Sequence, residues 1–217
     1  VPVRCQTLIE EAYEAVHSPN IMPLGVSHPV MASPPDKTLA RIMRRVLAQA
    51  GPKVMAYGPM DGYVPLKRQI AQRYLEQGVE ARQEDIIITN GAQEAISLAL
   101  LAIAQAGDII AVETPCFYGN LQCIEALGMK VVEIPTSGVE GISLELLEKS
   151  LQQWPVKAML LNPSNNNPTG FCMPLTRRKQ LLKLANRYAV PIIEDDTFGE
   201  LYFEQPTATL KSLDTED

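Results

Sequence analysis

Two stretches decide the fold: Asn162-Pro-Ser-Asn-Asn-Asn-Pro-Thr-Gly170 and, one helix length later, Pro191-Ile-Ile-Glu-Asp-Asp196. The first follows the apolar run Lys157–Leu161, which is short and rich enough in aliphatic residues to be a buried strand. Asn, Pro and Gly then supply the turn. Leu175–Tyr188 carries a helical pattern, and Pro191–Asp195 is a second apolar run that ends in carboxylates. In an open α/β sheet, ligands bind at the C-terminal ends of the strands. The order strand, turn, helix, strand therefore aims an amide and an acid at one place. Asn-Pro-Thr-Gly alone is a turn, and two acids alone are a solvated strand end. Together at this spacing they describe a site.

Working outward, the same alternation extends toward the N-terminus. Ile86–Thr89 is predicted as a strand and Ala92–Gln105 as a helix, apolar nearly all round and so expected to be buried. Ile109–Glu113 is a strand, and Gly119–Leu127 is a helix ended by Gly128. Lys130–Ile134 is a strand, followed by a helix over Leu144–Gln152. Short apolar runs separated by helices imply a mostly parallel sheet covered on both faces, a three-layer α/β/α arrangement. Further upstream, Asp36 fits an N-cap for a helix running to Gln49, with Gly51-Pro52 ending it. Pro65 opens an amphipathic helix to Gln77, and Gly78 stands where a C′ glycine belongs. Residues 1–35 are irregular and rich in proline, and are read as a linker or N-terminal arm; residues 36–217 are read as part of one large domain. The chain opens on Val1 and closes on the acidic Asp214-Thr-Glu-Asp217, and both ends are expected to be cuts in a longer protein.

Bulk properties narrow the class. The net charge of −6 argues against nucleic-acid binding by this segment itself. There is no apolar run of membrane-spanning length and no signal-peptide pattern. Cys5, Cys116, Cys123 and Cys172 form no C-x-x-C pair, which points to reduced thiols in a cytoplasmic protein. The histidines, His17 and His28, are too few to build a zinc site with them. No G-x-G-x-x-G follows any strand, which excludes a dinucleotide-binding oxidoreductase.

The two opening stretches, with three matches upstream, resemble the class I/II aminotransferases, the fold-type I enzymes that use pyridoxal 5′-phosphate (PLP). The resemblance covers roughly residues 20–205. In Thr89-Asn-Gly-Ala-Gln-Glu94, residues Gly91, Ala92 and Gln93 look like the phosphate cup, at a helix N-terminus where free N–H groups and the dipole favour an anion. In Glu113-Thr-Pro-Cys-Phe-Tyr-Gly119, Phe117 matches the aromatic residue that stacks on the pyridine ring. Asn167 corresponds to the asparagine that hydrogen-bonds the cofactor O3′, and Asp195 to the carboxylate that pairs with the ring nitrogen. Glu194 and Asp196 suit that role less, because strand neighbours point to opposite faces. Tyr57, in Tyr57-Gly-Pro-Met-Asp-Gly62, matches the tyrosine that reaches the phosphate of a neighbouring subunit, which implies a homodimer with shared sites. Leu24-Gly25-Val26 is similar to the segment lining the substrate pocket.

Two departures qualify the resemblance. Phe198 stands where the family has a tyrosine donating to O3′, so one donor is lost. The Schiff-base lysine of the family lies further downstream; Lys211 comes too soon and reads as a surface residue, so this segment alone is expected to be inactive. Pro115-Cys-Phe-Tyr-Gly119, Trp154-Pro-Val-Lys-Ala158 and Glu194-Asp-Asp196 look closest to the aminotransferase-like domain of MocR-type regulators of the GntR family. That resemblance implies an effector-sensing domain whose DNA contacts are made by a separate N-terminal domain. The alternative is a free-standing aminotransferase passing an amino group between an amino acid and a 2-oxo acid.

Overall fold

The computed structural model describes residues 35–203 and 205–214, with a few isolated positions nearer the N-terminus. Cys5, His17, His28 and the Leu24-Gly25-Val26 segment lie outside the described residues. The chain divides into two compact units, Val1–Tyr57 and Gly58–Asp217. In the first unit, helix α1 (Asp36–Ala50) leads into a 3-10 turn, Gly51–Met55. The N-cap is Pro35 rather than Asp36, and it makes no side-chain cap bond. Asp36 instead occupies the first turn, where its charge still faces the positive end of the helix dipole.

The second unit opens with α2 (Val64–Glu76), which has proline in its first turn as predicted, and Gly78 follows its C-cap with φ +80°. Five strands then form one sheet: β1 (Ile109–Thr114), β2 (Lys130–Ser137), β3 (Gly141–Ile142), β4 (Val156–Leu161) and β5 (Ile192–Glu194). Their order is β3-β2-β1-β4-β5. Every pairing is parallel except the β2–β3 hairpin. Between the strands run α3 (Ala92–Ile103), α4 (Tyr118–Ala126), α5 (Leu144–Gln153) and α6 (Leu175–Tyr188), with the short α7 (Leu210–Leu213) at the end.

The period of two along each strand sorts the apolar side chains into two cores. Ile110, Val112, Ala158 and Leu160 pack with Ile96 and Leu100 of α3 and Ile124 of α4. Ala111, Met159 and Leu161 pack on the other face with Leu147 of α5 and Leu181 and Leu184 of α6. These are the three layers expected.

Two further expectations fail. Ile86–Thr89 is not a strand. The sheet ends at β3 on one side and β5 on the other, so this β-prone run has no ladder to join and its propensity goes unused. The Ile88 N–H donates instead to the carbonyl of Asp61, at 3.0 Å. Nor is α3 buried all round. Ile96 and Leu100 are covered, whereas Leu98 and Leu101 are exposed, because a helix lying on one sheet face buries one stripe only.

Candidate functional site

Since β1, β4 and β5 are parallel neighbours, their C-terminal ends meet on one edge, and the loops after them build the site. After β4 the chain enters Asn162–Gly170. Asn162 is buried, and every polar group on it is used. Its N–H donates to Glu113 Oε2 (2.7 Å) and its carbonyl accepts from Asn166 Nδ2 (3.1 Å). Its side-chain Oδ1 accepts the Asn167 N–H (2.6 Å), and Nδ2 donates to the carbonyls of Asp195 (2.6 Å) and Ser164 (3.3 Å). Asn165 adopts a left-handed conformation, φ +46°, and donates to the Phe198 carbonyl at 2.7 Å. Asn166 is buried and spans to Glu113 Oε2 (3.2 Å) while accepting from Thr169 Oγ1 (2.6 Å). Asn167 differs from its neighbours. Its side-chain amide is half-buried and has no partner among the described residues.

The three acids at the end of β5, Glu194, Asp195 and Asp196, have three different duties. Glu194 accepts the N–H groups of Leu210 (2.8 Å) and Lys211 (3.3 Å), so it holds the start of α7. Burial pushes its carboxyl up, against those two N–H groups. Asp195 uses one oxygen, Oδ1, for both the N–H (3.1 Å) and the hydroxyl (2.6 Å) of Thr197. Its second oxygen has no partner among the described residues. Asp196 keeps its Oδ1 buried and unpaired, packed against Gly199, where a Cβ would clash with the carboxylate. Burial raises its pKa, opposed by Ser164 and Arg178, and Asp195 adds to the rise.

Two residues that were not singled out from the sequence support this edge. Glu113, at the end of β1, is 1% exposed, and its Oε1 has no partner. Burial pushes its carboxyl up to about 7, against the Asn162 N–H, with the Asp195 charge adding to the rise. Arg178 of α6 is wholly buried and donates to the carbonyls of Pro163 (2.7 Å), Met173 (2.9 Å) and Ala208 (3.0 Å) and to Ser164 Oγ (3.0 Å). Its fork clamps both ends of the turn. The Glu194 carboxylate lies 3.7 Å from it. The only signal either residue gives in the sequence is a charge on the inner face of its element, in an apolar strand for Glu113 and among other basic residues of an amphipathic helix for Arg178.

Of the remaining predicted residues, Gly91, Ala92, Gln93 and Phe117 lie at the starts of helices, and Phe198 and Tyr57 do not. Gly91 is the N-cap of α3 with φ +92°, a conformation that residues with a Cβ avoid. Gly91, Ala92 and Gln93 are exposed, so their N–H groups face solvent at the positive end of the helix. Gln93 Nε2 reaches Asn120 Oδ1 at 3.4 Å. Phe117 is the N-cap of α4, its ring centroid 4.6 Å from that of Tyr118 and tilted by 50°. A Cβ on Gly119 would collide with the Phe117 ring, so glycine there makes room for the ring. Phe198 is half-buried and lines a hollow of about 460 Å³ with Tyr74, Arg73, Asp196 and Leu201. Tyr57 ends the first unit and is fully exposed. Lys211 is exposed, on α7.

Comparison with known proteins matches residues 19–217 to the pattern of the family described as aminotransferase class I and II. The chain belongs to this aminotransferase family. Among its relatives, the Escherichia coli K12 HTH-type transcriptional regulator YjiR is 44% identical over 193 residues, which cover 89% of this chain and 41% of that protein. The 2-aminoadipate transaminase of Thermus thermophilus is 31% identical over 205 residues, or 94% of this chain and 50% of that one. The solved kynurenine aminotransferase of Pyrococcus horikoshii, in complex with PMP, superposes with a TM-score of 0.85 at 30% identity, over 99% of this chain and 56% of that one. The chain thus spans about half or less of these relatives' own lengths. Among the described residues no helix is long and apolar enough to cross a membrane.

Proposed function

We propose that this chain is a PLP-binding aminotransferase-like domain serving as the effector-sensing part of a MocR/GntR-type transcription regulator. One observation carries the cofactor reading. At this strand edge the half-buried Asn167 amide and one Asp195 oxygen are left free, as are the buried Glu113 Oε1 and Asp196 Oδ1, and a single asparagine ties the backbones of Asn167 and Asp195 together. The donor set fits the group. Asn167 would hold O3′, and Asp195 would face the ring nitrogen, where a partly buried carboxylate favours the protonated ring. Phe117 would cover one ring face. Gly91, Ala92 and Gln93 would receive the phosphate at the start of α3, with Tyr57 of a second subunit closing that end in a homodimer. PLP, when bound, supplies an electron sink for carbanion chemistry at an amino compound. Phe198, lacking a hydroxyl, leaves O3′ to Asn167 alone among these residues.

The regulator reading is supported by the 44% identity to an HTH-type regulator. DNA contacts would then belong to a separate domain in the cytoplasm, in keeping with the acidic charge of −6 here. A second reading, a free-standing aminotransferase, is favoured by the 31% identity to a transaminase. The test is a PLP titration of the full-length protein followed in the visible band, with Asp195→Asn beside wild type. Band-shift of promoter DNA with and without PLP, and assay of amino-acid turnover with a 2-oxo acid, complete it. Binding that Asp195→Asn weakens, with PLP-dependent DNA affinity, is expected. Turnover without DNA binding would establish the enzyme instead, and no PLP binding would end both readings.

A further inference from the structure

We propose that Asn162 is a positioning residue that sets the spacing between Asn167 and Asp195 and thereby the grip on the cofactor ring. The inference rests on the PLP reading and goes beyond it, to a residue that touches no cofactor atom. Its warrant is geometric. An asparagine side chain carries an acceptor and a donor pair on one rigid plane. Here the acceptor takes the Asn167 N–H at 2.6 Å and the donor reaches the Asp195 carbonyl at 2.6 Å. One planar group therefore joins the backbone of the O3′ residue to the backbone of the ring-nitrogen residue, across 33 positions of sequence in the second contact.

The plane itself cannot drift. Glu113 Oε2 holds the Asn162 N–H, Asn166 holds its carbonyl, and Ser164 takes a further share of Nδ2. Asn162 is 6% exposed, so water does not compete for these bonds. Asn165 also joins the two loops, but further out, to Phe198 and Leu201. Arg178 clamps Pro163 and Ser164 without touching Asn167 or Asp195. Among the described residues, then, Asn162 is the side chain that contacts both at once. A pocket that must hold a flat ring by two opposite edges depends on the distance between its two grips. A side chain that fixes it acts on the cofactor through both.

The test uses full-length protein and PLP itself. Wild type, Asn162→Ala, Asn167→Ala and the double variant are titrated with PLP, and the pH midpoint of the bound cofactor's visible absorption change is recorded for each. Asn162→Ala should weaken PLP binding by about tenfold or more, the scale on which residues supporting a binding shell act. It should also move the pH midpoint in the direction that Asn167→Ala moves it. Adding Asn162→Ala to Asn167→Ala should shift the midpoint by less than Asn162→Ala shifts it alone, because one of its two routes, the one through Asn167, is already gone. A variant with a lower melting temperature but wild-type PLP affinity and pH midpoint would reduce Asn162 to a structural role and overturn the assignment. Asn162→Ser, which opens less space, carries the same readouts should the alanine variant fail to fold. Failure of wild type to bind PLP at all is a different result: it removes the cofactor reading itself.

Discussion

Replacing Glu113 by Gln should change how stability depends on pH, and the size of the change follows from where the carboxyl sits. Glu113 is 1% exposed, and burial lifts its pKa from 4.5 to about 7. Between those values the folded protein holds the proton more tightly than the unfolded chain does. The group's contribution is therefore fully present below pH 4.5 and is lost as pH rises through about 7. At about 1.4 kcal/mol per pKa unit, the loss across the window is about 3 kcal/mol. Gln keeps the shape and stays neutral, and its oxygen can still accept from Asn162 and Asn166. Its amide N–H₂ then stands where Oε1 now has no partner, which costs about 1–3 kcal/mol whatever the pH. The absolute stability of the variant is thus a poor readout, and the pH slope is the informative one. Urea unfolding of both proteins, without cofactor, from about pH 5 to about pH 8 gives the difference directly. That difference should move in favour of Glu113→Gln by about 3 kcal/mol as pH rises. A flat difference would mean that the Asn162 and Asn166 donors keep Glu113 ionised, and that the buried carboxylate is balanced by them.

Arg178→Met should destabilise the protein by about 3–5 kcal/mol in the same assay, because it removes the buried fork and leaves Glu194 without its nearby cation. A loss below about 1 kcal/mol would show that the carbonyls it serves find other donors. Phe198→Tyr should restore a hydroxyl beside O3′ and shift the pH at which bound PLP changes colour; an unchanged midpoint would mean that the ring at 198 faces the hollow lined by Tyr74 and Leu201 and not the cofactor.

The sheet was legible because its central strands, β1 and β4, are buried on both faces and so are written as largely aliphatic runs, in Ile109–Glu113 and Lys157–Leu161. Ile86–Thr89 is written the same way and is no strand, since a run of β-prone residues states a preference while the ladder needs a neighbour. The helix over Ala92–Ile103 misled in the opposite sense. Its apolar content suggested burial all round, yet Leu98 and Leu101 reach solvent, because composition does not say how many faces are covered. Of the site, the Asn-rich turn and the acid-tipped strand were readable from local chemistry, and the resemblance to the aminotransferases pointed within them to Asn167 and Asp195. Glu113, Asn162 and Arg178 were not, because their meaning lies in partners far along the chain: Glu113 meets Asn162 and Asn166 across 49 and 53 positions. No local pattern records such a contact.

Those long-range contacts also sort the site by charge. Glu113, Glu194 and Asp196 are each held less acidic by burial, and Arg178 is the cation whose field opposes all three. Arg178 is itself spent on four oxygens and is pressed toward the neutral form by burial. The strand edge therefore carries more buried carboxyl groups than its own cation readily keeps ionised, and the Asp195 charge adds to the cost of ionising both Glu113 and Asp196. A cation set against the free oxygen of Asp195 would relieve that cost, which is what a protonated pyridine ring brings. An anion would deepen it, and the exposed N-terminus of α3, with Gly91 at its cap, offers an anion a separate place. On the PLP reading the two charges of the cofactor are thus received by two different devices, carboxylates at the strand ends for the ring and backbone N–H groups at a helix start for the phosphate. Asn162 tunes the first of these without touching the second, so its variants should loosen the ring's grip while leaving the phosphate end intact.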